Sequence, residues 1–287
     1  MNIDDLEQVK TLCATVWDGN DYVPAIFPKW VENPLARTMG LFEADELVAV
    51  ANIEKISETD IAWVQGLRVK ESHRERGYAT RITHRLIEIA KDFGVRHLWY
   101  ATSSRNQSSM RVAEKCGFRQ ADKTGYFRLY KPYPPHPRPS LNIVPLKANP
   151  ERLYELLIAN PALVESSTFP LAWHFDFKTK DGLARLMENA LVKVVVDKTG
   201  VAQGIYCYTE RERNEEKTAA FTVFSTDRSV FVDIMSRMIE QADSSGADRA
   251  VFFLGPRVSE WSLDLGYVAD EFIDRRFLLY ELNPAEF

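Results

Sequence analysis

The segment QGLRVKESHRERGYATRITHRL, Gln65 to Leu86, restricts the chain more than any other. It runs from an apolar, strand-like stretch through a basic turn into a helix. Ile82, Leu86, Ile89, Ala90 and Phe93 share one face of that helix, and Gly94 stops it. Such a helix must bury its stripe against another element. Arg74, Gly77 and Ala79 are spaced R-x-x-G-x-A, with Arg76 between. Gly77 admits close approach of backbone to a ligand. The turn amides and the helix N-terminus offer donors and partial positive charge to an anion, an arrangement suited to a pyrophosphate. Arg68, Lys70, Arg74, Arg76, Arg81 and Arg85 face only Glu71 and Glu75, in a chain whose net charge is −5. That local inversion of charge predicts a phosphorylated ligand. An ordinary strand-to-helix turn with a solvated basic face explains the same residues until the rest of the chain is weighed. There is no G-K-[ST] and no second and third glycine at dinucleotide spacing, so nucleoside-triphosphate and dinucleotide loops are excluded.

At 287 residues the chain is long enough for about two domains. The proline-rich KPYPPHPRPS, Lys131 to Ser140, reads as a stiff connector between two halves. The halves read as one plan written twice. In the first, a hairpin over Gly40 to Glu54 turns at EADE and is followed by a strand at Ile61 to Val69. The basic turn and its helix come next, then the strand VRHLWYAT, a short helix QSSMRVAEKCGF and the strand GYFRLYK. In the second, a hairpin turns at Lys198 to Gly200 and is followed by TAAFTVFS. A helix then carries Phe231, Ile234, Met235, Met238 and Ala242, before RAVFFLG, VSEWSLDLGY and RRFLLYEL. Gly117-Phe118 and Gly266-Tyr267 occupy the same place in each copy. The expected division is therefore 1–133, a linker over 134–140, and a second copy over 141–287.

The acidic balance argues against nucleic-acid partners and against an anionic membrane surface. No apolar run approaches the ~20 residues of a membrane helix. The start, MNIDDLEQVK, is acidic where a secretory signal is basic and then apolar, and Cys13, Cys116 and Cys207 form no disulfide or metal pattern. These features predict a cytoplasmic protein. His73, His84, His97, His136 and His174 show no metal spacing, so no metal is expected. No feature specifies an oligomer.

LRV, followed by the R-x-x-G-x-A turn and an amphipathic helix, resembles the acyl-CoA motif of the GCN5-related N-acetyltransferases (GNAT family). A second match lies downstream. Asn106 stands eleven residues before Gly117-Phe118, the spacing of that family's N-x-x-A-x-x-L-Y-x-K-x-G-F helix. The resemblance covers roughly residues 1 to 133. It implies an α/β fold with a mixed, twisted sheet, in two tandem copies, and acetyl-CoA as co-substrate in a gap between two strands that part at a bulge. By that resemblance, main-chain groups around Leu67, Arg68 and Val69 would bind the acetyl and pantetheine portion. Arg74, Glu75, Arg76, Gly77, Tyr78, Ala79 and Thr80 would hold the pyrophosphate, and Asn106 would reach the pantetheine arm. A helix N-cap is the structural alternative for Asn106.

The chain departs from the family at both proton-transfer positions. The tyrosine that protonates the departing thiolate is replaced by Ala113, which leaves Tyr126 and Tyr22 as candidates. The glutamate before the acyl-CoA loop is replaced by Gln65, which leaves Glu54, Glu43 or Asp21 to act through water. An α-amine titrates near ~8 and a lysine near ~10.4, so deprotonating lysine costs roughly 3 kcal/mol more. A site without a strong base therefore suits a low-pKa amine. The stretch VWDGNDYVPAIFPKW, Val16 to Trp30, falls where the family's first two helices and their connection wall the acceptor side. Either Asp18-Gly19-Asn20 is a simple turn with Trp17, Phe27 and Trp30 in the core, or the stretch holds the acceptor. Gly19, Asp21, Tyr22, Pro24 and Trp30 resemble the G-x-D-Y-x-P loop of a branch that includes histidine N-acetyltransferase-like proteins. That makes Asp21, Tyr22 and Trp30 the candidate acceptor residues. The second copy has only TDRS where the phosphate turn would lie, so it is expected to be degenerate and not to bind CoA. The reading that follows is an acetyl-CoA-dependent N-acetyltransferase acting on a small amine. A non-catalytic acyl-CoA-binding module, or a protein N-terminal or lysine acetyltransferase, is the alternative.

Overall fold

In the computed structural model, residues 1–135, 146–188, 190–213 and 215–287 are described, without the side chains of Trp17, Asp18 and Leu146. The proline-rich stretch from His136 onward lies outside them. Along the chain run α1 (Leu6–Cys13), α2 (Val23–Glu32), β1 (Ala36–Glu43), β2 (Glu46–Lys55), β3 (Ile61–Val69), α3 (Tyr78–Asp92), β4 (His97–Ser103), α4 (Gln107–Lys115) and β5 (Arg119–Tyr130). There follow β6 (Leu146–Lys147), α5 (Pro150–Ala159), β7 (Thr168–Leu171), β8 (His174–Phe177), α6 (Lys180–Met187), β9 (Leu191–Val196), β10 (Ala202–Arg213), β11 (Glu216–Ser225), α7 (Arg228–Ser244), β12 (Arg249–Leu254), α8 (Pro256–Asp264) and β13 (Arg276–Leu282).

These elements form two compact units. One is Met1–Ala121 with Leu278–Phe287, and the other is Asp122–Phe277. This differs from the expected 1–133 and 141–287. The chain's last strand belongs to the first unit, and most of β5 belongs to the second. The strand order is β1-β2-β3-β4-β13 in the first unit, and β9-β10-β11-β12-β5 in the second with β6 added beside β9. Each order begins with two antiparallel pairings and then a parallel one. The two copies are thus complete only with their final strands exchanged. GYFRLYK and RRFLLYEL are both apolar, aromatic runs, and their pattern does not say which sheet receives them.

Helix ends carry the duplication further. α4 closes on Gly117 (φ +86°), with Phe118 N–H on the Ala113 carbonyl at 3.0 Å. α8 closes on Gly266 (φ +74°), with Tyr267 N–H on the Ser262 carbonyl at 3.0 Å. Both residues adopt the left-handed conformation that favours glycine at a helix terminus.

In the first unit, α3 lays Ile82, Leu86, Ile87 and Ala90 on Ala49, Ala51 and Ile53 of β2 and on Ala62 and Val64 of β3. α1 and α2 form a second layer with Val9, Leu12, Phe27 and Trp30 on Leu47 and Val50. The stretch Val16 to Trp30 proves more helical than a connecting loop. A short turn spans Val16–Gly19, and α2 begins at Val23 with Pro24 in its first turn, where a missing N–H costs nothing. The second unit packs Phe127 on Phe252 at 4.5 Å and Phe252 on Phe221 at 5.4 Å. No helix among the described residues is long and apolar enough to cross a membrane.

Candidate active site

β3 and β4 run parallel and pair from Ile61 with His97 to Val64 with Tyr100. β3 then continues to Val69 and β4 to Ser103 without further pairing, so the two strands part. The parting begins at a bulge. Val50 of β2 pairs with Arg68 and Asn52 with Gln65, so Ala51 alone faces Gly66 and Leu67. Gly66 is required there twice. Its φ is +66°, and a Cβ would meet the Trp30 ring at 2.2 Å.

The turn beyond β3 ends at the N-terminus of α3. Gly77 (φ +83°) is the N-cap residue, so no side chain caps the helix, and a Cβ at Gly77 would meet nothing within 4 Å. Arg81 N–H bonds to the Gly77 carbonyl at 3.0 Å. The amides of Tyr78, Ala79 and Thr80 therefore have no partner inside the helix. Arg76, Arg81 and Arg85 are exposed and form no ion pair among the described residues. Arg74 makes only a loose pair with Glu71 at 3.8 Å. Three free amides, the positive end of the helix and unpaired guanidinium groups are chemically suited to an anion.

Gln65 and Glu54 meet across β2 and β3. Gln65 Nε2 donates to Glu54 Oε2 at 3.0 Å, and Asn33 Nδ2 donates to Glu54 Oε1 at 2.8 Å. Both side chains are half-buried. Two amides thus fix the orientation of one carboxylate beside the bulge.

Asp21, Tyr22 and Trp30 also meet at the bulge. Tyr22 stands edge-on to Trp30, with ring centroids 6.4 Å apart, and the Arg68 guanidinium lies 5.3 Å from the Tyr22 ring. Arg68 grips Asp21 with Nε on Oδ2 at 2.6 Å and Nη2 on Oδ1 at 2.8 Å, and its Nη1 donates to the Leu67 carbonyl at 2.9 Å. Burial alone would raise the Asp21 carboxyl, but the hydrogen bonds and charge of Arg68 outweigh it and hold the group below the usual carboxylate range. Burial raises the Tyr22 hydroxyl, with Arg68 opposing. It also pushes the neighbouring Cys13 thiol up to about 12. Asp21 therefore spends both oxygens on Arg68. Its direct partner is the residue that secures the Leu67 end of the bulge.

Asn106 caps α4, accepting from Ser109 N–H at 3.2 Å and from the Ser108 hydroxyl at 3.0 Å, which leaves its amide nitrogen to other partners. Tyr126 belongs to the second unit. It is 5% exposed there, accepts from Arg128 Nε at 2.6 Å and lies under the Arg275 guanidinium at 4.7 Å. Sequence reasoning missed Tyr100, the last residue of β4 to pair before the strands part. Burial pushes its hydroxyl up to about 12, with Tyr22, Arg68 and Tyr280 close enough to contribute. Nothing in the sequence marks it, because the end of a pairing ladder has no local signature. Cys116 is buried, which raises its thiol, so it is packed rather than poised. Among the described residues no group of three His, Cys, Asp or Glu side chains is placed to hold a metal.

A splayed parallel pair, a bulge and an open helix N-terminus together define an acyltransferase fold. Residues 3–118, which lie in the first unit, match the acetyltransferase (GNAT) family. Family members use acetyl-CoA. Three solved structures are similar over nearly all of the chain. The GCN5-related N-acetyltransferase from Sphaerobacter thermophilus is 13% identical, with 98% of this chain and 93% of that one covered and a TM-score of 0.61. A tandem GNAT protein from the clavulanic acid biosynthesis pathway is 12% identical, with 98% and 95% covered and a TM-score of 0.60. The GCN5-related N-acetyltransferase from Kribbella flavida is 15% identical, with 97% and 69% covered and a TM-score of 0.52. At these identities the likeness is one of fold. No curated protein matches the chain in sequence.

Proposed function

We propose that the protein transfers the acetyl group of acetyl-CoA directly to the amine of a small molecule such as an amino acid, within a ternary complex. The observation that carries this reading is the parting of β3 and β4 beside a helix N-terminus that no side chain caps. The residues present fit the co-substrate. The Arg74 to Thr80 turn suits the diphosphate, with Arg76 and Arg81 adding charge. The main chain at Leu67 and Val69 lines the parted strand for the thioester end, and the Asn106 amide nitrogen is available to the pantetheine arm.

Acetyl-CoA supplies an activated thioester. The amine attacks its carbonyl carbon, the C–S bond breaks, and the thiol leaves with a proton. Main-chain donors of β3 would stabilise the oxygen that gains charge, a contribution of about 3 kcal/mol in comparable sites. Glu54, oriented by Gln65 and Asn33, is the carboxylate that takes the amine's proton through water. Tyr100 stays protonated at neutral pH and is the donor for the leaving thiolate. This weak apparatus favours an α-amine over a lysine by the ~3 kcal/mol that separates their deprotonation. The likeness of the Asp21-Tyr22 segment to histidine N-acetyltransferase-like proteins points the same way.

The test is CoA release from acetyl-CoA across free amino acids, polyamines and short peptides, with Arg76→Ala/Gly77→Glu as the blank. Release with free amino acids, abolished in the blank and reduced about 10- to 100-fold in kcat by Glu54→Gln, is expected. Release with peptides alone would overturn the acceptor class. Tight acetyl-CoA binding without release on any acceptor would leave a non-catalytic binding module.

A further inference from the structure

The second unit carries a cavity of about 260 Å³ at the carboxyl ends of its parallel strands. β11 and β12 pair as far as Val223 with Leu254, and Gly255 N–H adds one more bond to the Val223 carbonyl at 3.0 Å. The cavity opens there, lined by Phe224 and Ser225 on one side and Gly255 and Pro256 on the other. Carboxyl ends of parallel strands are where α/β folds place ligands. Gly255 is needed for the approach, because a Cβ would meet the Phe224 ring at 2.4 Å.

Three observations say what the cavity is built to hold. α8 starts at its edge with Pro256, and its N-cap residue Gly255 supplies no side-chain cap, so the amides of Arg257 and Val258 stay open. Thr124 lines the same cavity at 3% exposure, and its buried hydroxyl has no hydrogen-bond partner among the described residues. A buried hydroxyl left unpaired is costly and calls for a partner. The charged lining is of both signs. Lys123 and Arg257 stand with Glu165, Glu260 and Asp122. Asp122 is already committed to the Ser166 and Thr168 hydroxyls, while Arg257 and Glu165 pair only at 3.7 Å.

We infer that this cavity binds a free α-amino acid, with the carboxylate on the α8 amides, the Thr124 hydroxyl and Arg257, and the ammonium toward Glu165 and Glu260. A simple anion would leave the acidic side of the lining without a partner, and a simple amine would leave the open amides and Thr124 without one. The volume lies below the ~300–1,000 Å³ of drug-sized pockets, which suits an amino acid and is too small for a whole coenzyme A. This site belongs to the second unit and does not depend on the acceptor assigned to the first.

The test is titration calorimetry of the full chain with the twenty free amino acids, repeated on Thr124→Val and on Ala162→Trp. Ala162 is an exposed residue of the lining, so a tryptophan there fills the mouth without entering the core. The expected result is a saturable heat with at least one amino acid. Its Kd rises fivefold or more in Thr124→Val, the heat is lost in Ala162→Trp, and affinity falls tenfold or more for the amide and N-acetyl derivatives. Circular dichroism checks that each variant is folded, and Thr124→Val decides alone if Ala162→Trp is not. Absence of binding by every amino acid overturns the inference. So does an affinity unchanged in Thr124→Val, binding of propionate as tight as that of the amino acid, or a second equivalent of acetyl-CoA lost in Ala162→Trp.

Discussion

The N-termini of α3 and α7 stand at the same place in two copies of one plan, and only the first is open. α3 has Gly77 as N-cap and three amides without a side-chain partner. At α7, Asp227 accepts from Val230 N–H at 2.9 Å. The strands that lead into the two helices differ in the same sense. β3 parts from β4 after four paired residues, whereas β11 stays with β12 from Thr218 to Val223. A carboxylate occupies in the second unit the position that an anion would take in the first. Within one fold plan the two termini thus differ in a capping residue and in the extent of the pairing ladder beside them.

The comparison is broken most directly by making α3 resemble α7. Gly77→Asp supplies a carboxylate at the N-cap, and aspartate tolerates positive φ better than most residues. Acetyl-CoA affinity is expected to fall about 100-fold, or ~2.7 kcal/mol, while the melting temperature falls by a few degrees from the strain of a side chain at positive φ. Calorimetry with acetyl-CoA and a thermal melt check the two halves of this expectation.

Closing the bulge acts on the other half of the difference. Gly66→Ala puts a methyl group against Trp30, which is 3% exposed, at a backbone conformation that favours glycine. Overpacking and strain together are expected to cost about 2–4 kcal/mol, lowering Tm by roughly 5–10 °C and abolishing turnover. A Tm unchanged in Gly66→Ala would mean that Trp30 does not hold the bulge.

Asp21→Asn tests whether the Arg68 grip secures that bulge. Removing one partner of a largely buried pair is expected to cost about 2 kcal/mol, below the ~3–5 kcal/mol of a fully buried pair because Arg68 is partly exposed. The sign of the pH dependence follows from the lowered Asp21 carboxyl. A depressed folded value stabilises above the unfolded value of ~3.9 and loses that stabilisation as the pH falls through the folded value. The wild-type advantage over Asp21→Asn is thus full at neutral pH, begins to shrink near pH 4 and disappears below it. Paired urea melts from pH 7 to 3 follow it.

Much of this was legible in residues with local physics. The strand at Ile61 to Val69 and the Gly77 turn could be read because alternation, a glycine and clustered arginines act within a few positions. The C-terminal glycines Gly117 and Gly266 could be read for the same reason. What escaped depends on pairing between distant segments. Strand exchange is invisible because either final strand satisfies either sheet. The Asp21 to Arg68 pair joins residues 47 apart, so Asp21 reads locally as a free carboxylate. Thr124 and the cavity of the second unit carry no motif at all, since an unsatisfied hydroxyl is defined only by its surroundings.

The smallest effect is the most discriminating. Asp227→Ala opens the N-terminus of α7 and makes it resemble α3. Losing the cap is expected to cost about 1 kcal/mol. It should not create a second acetyl-CoA site, because the β11 and β12 ladder remains closed and no arginine cluster replaces the one at Arg76 and Arg81. Acetyl-CoA titration of Asp227→Ala should give the wild-type stoichiometry with a slightly lower Tm. A second equivalent of binding would show that the capping carboxylate alone separates the two copies, and that the parted strands position the thioester without deciding whether the co-substrate binds.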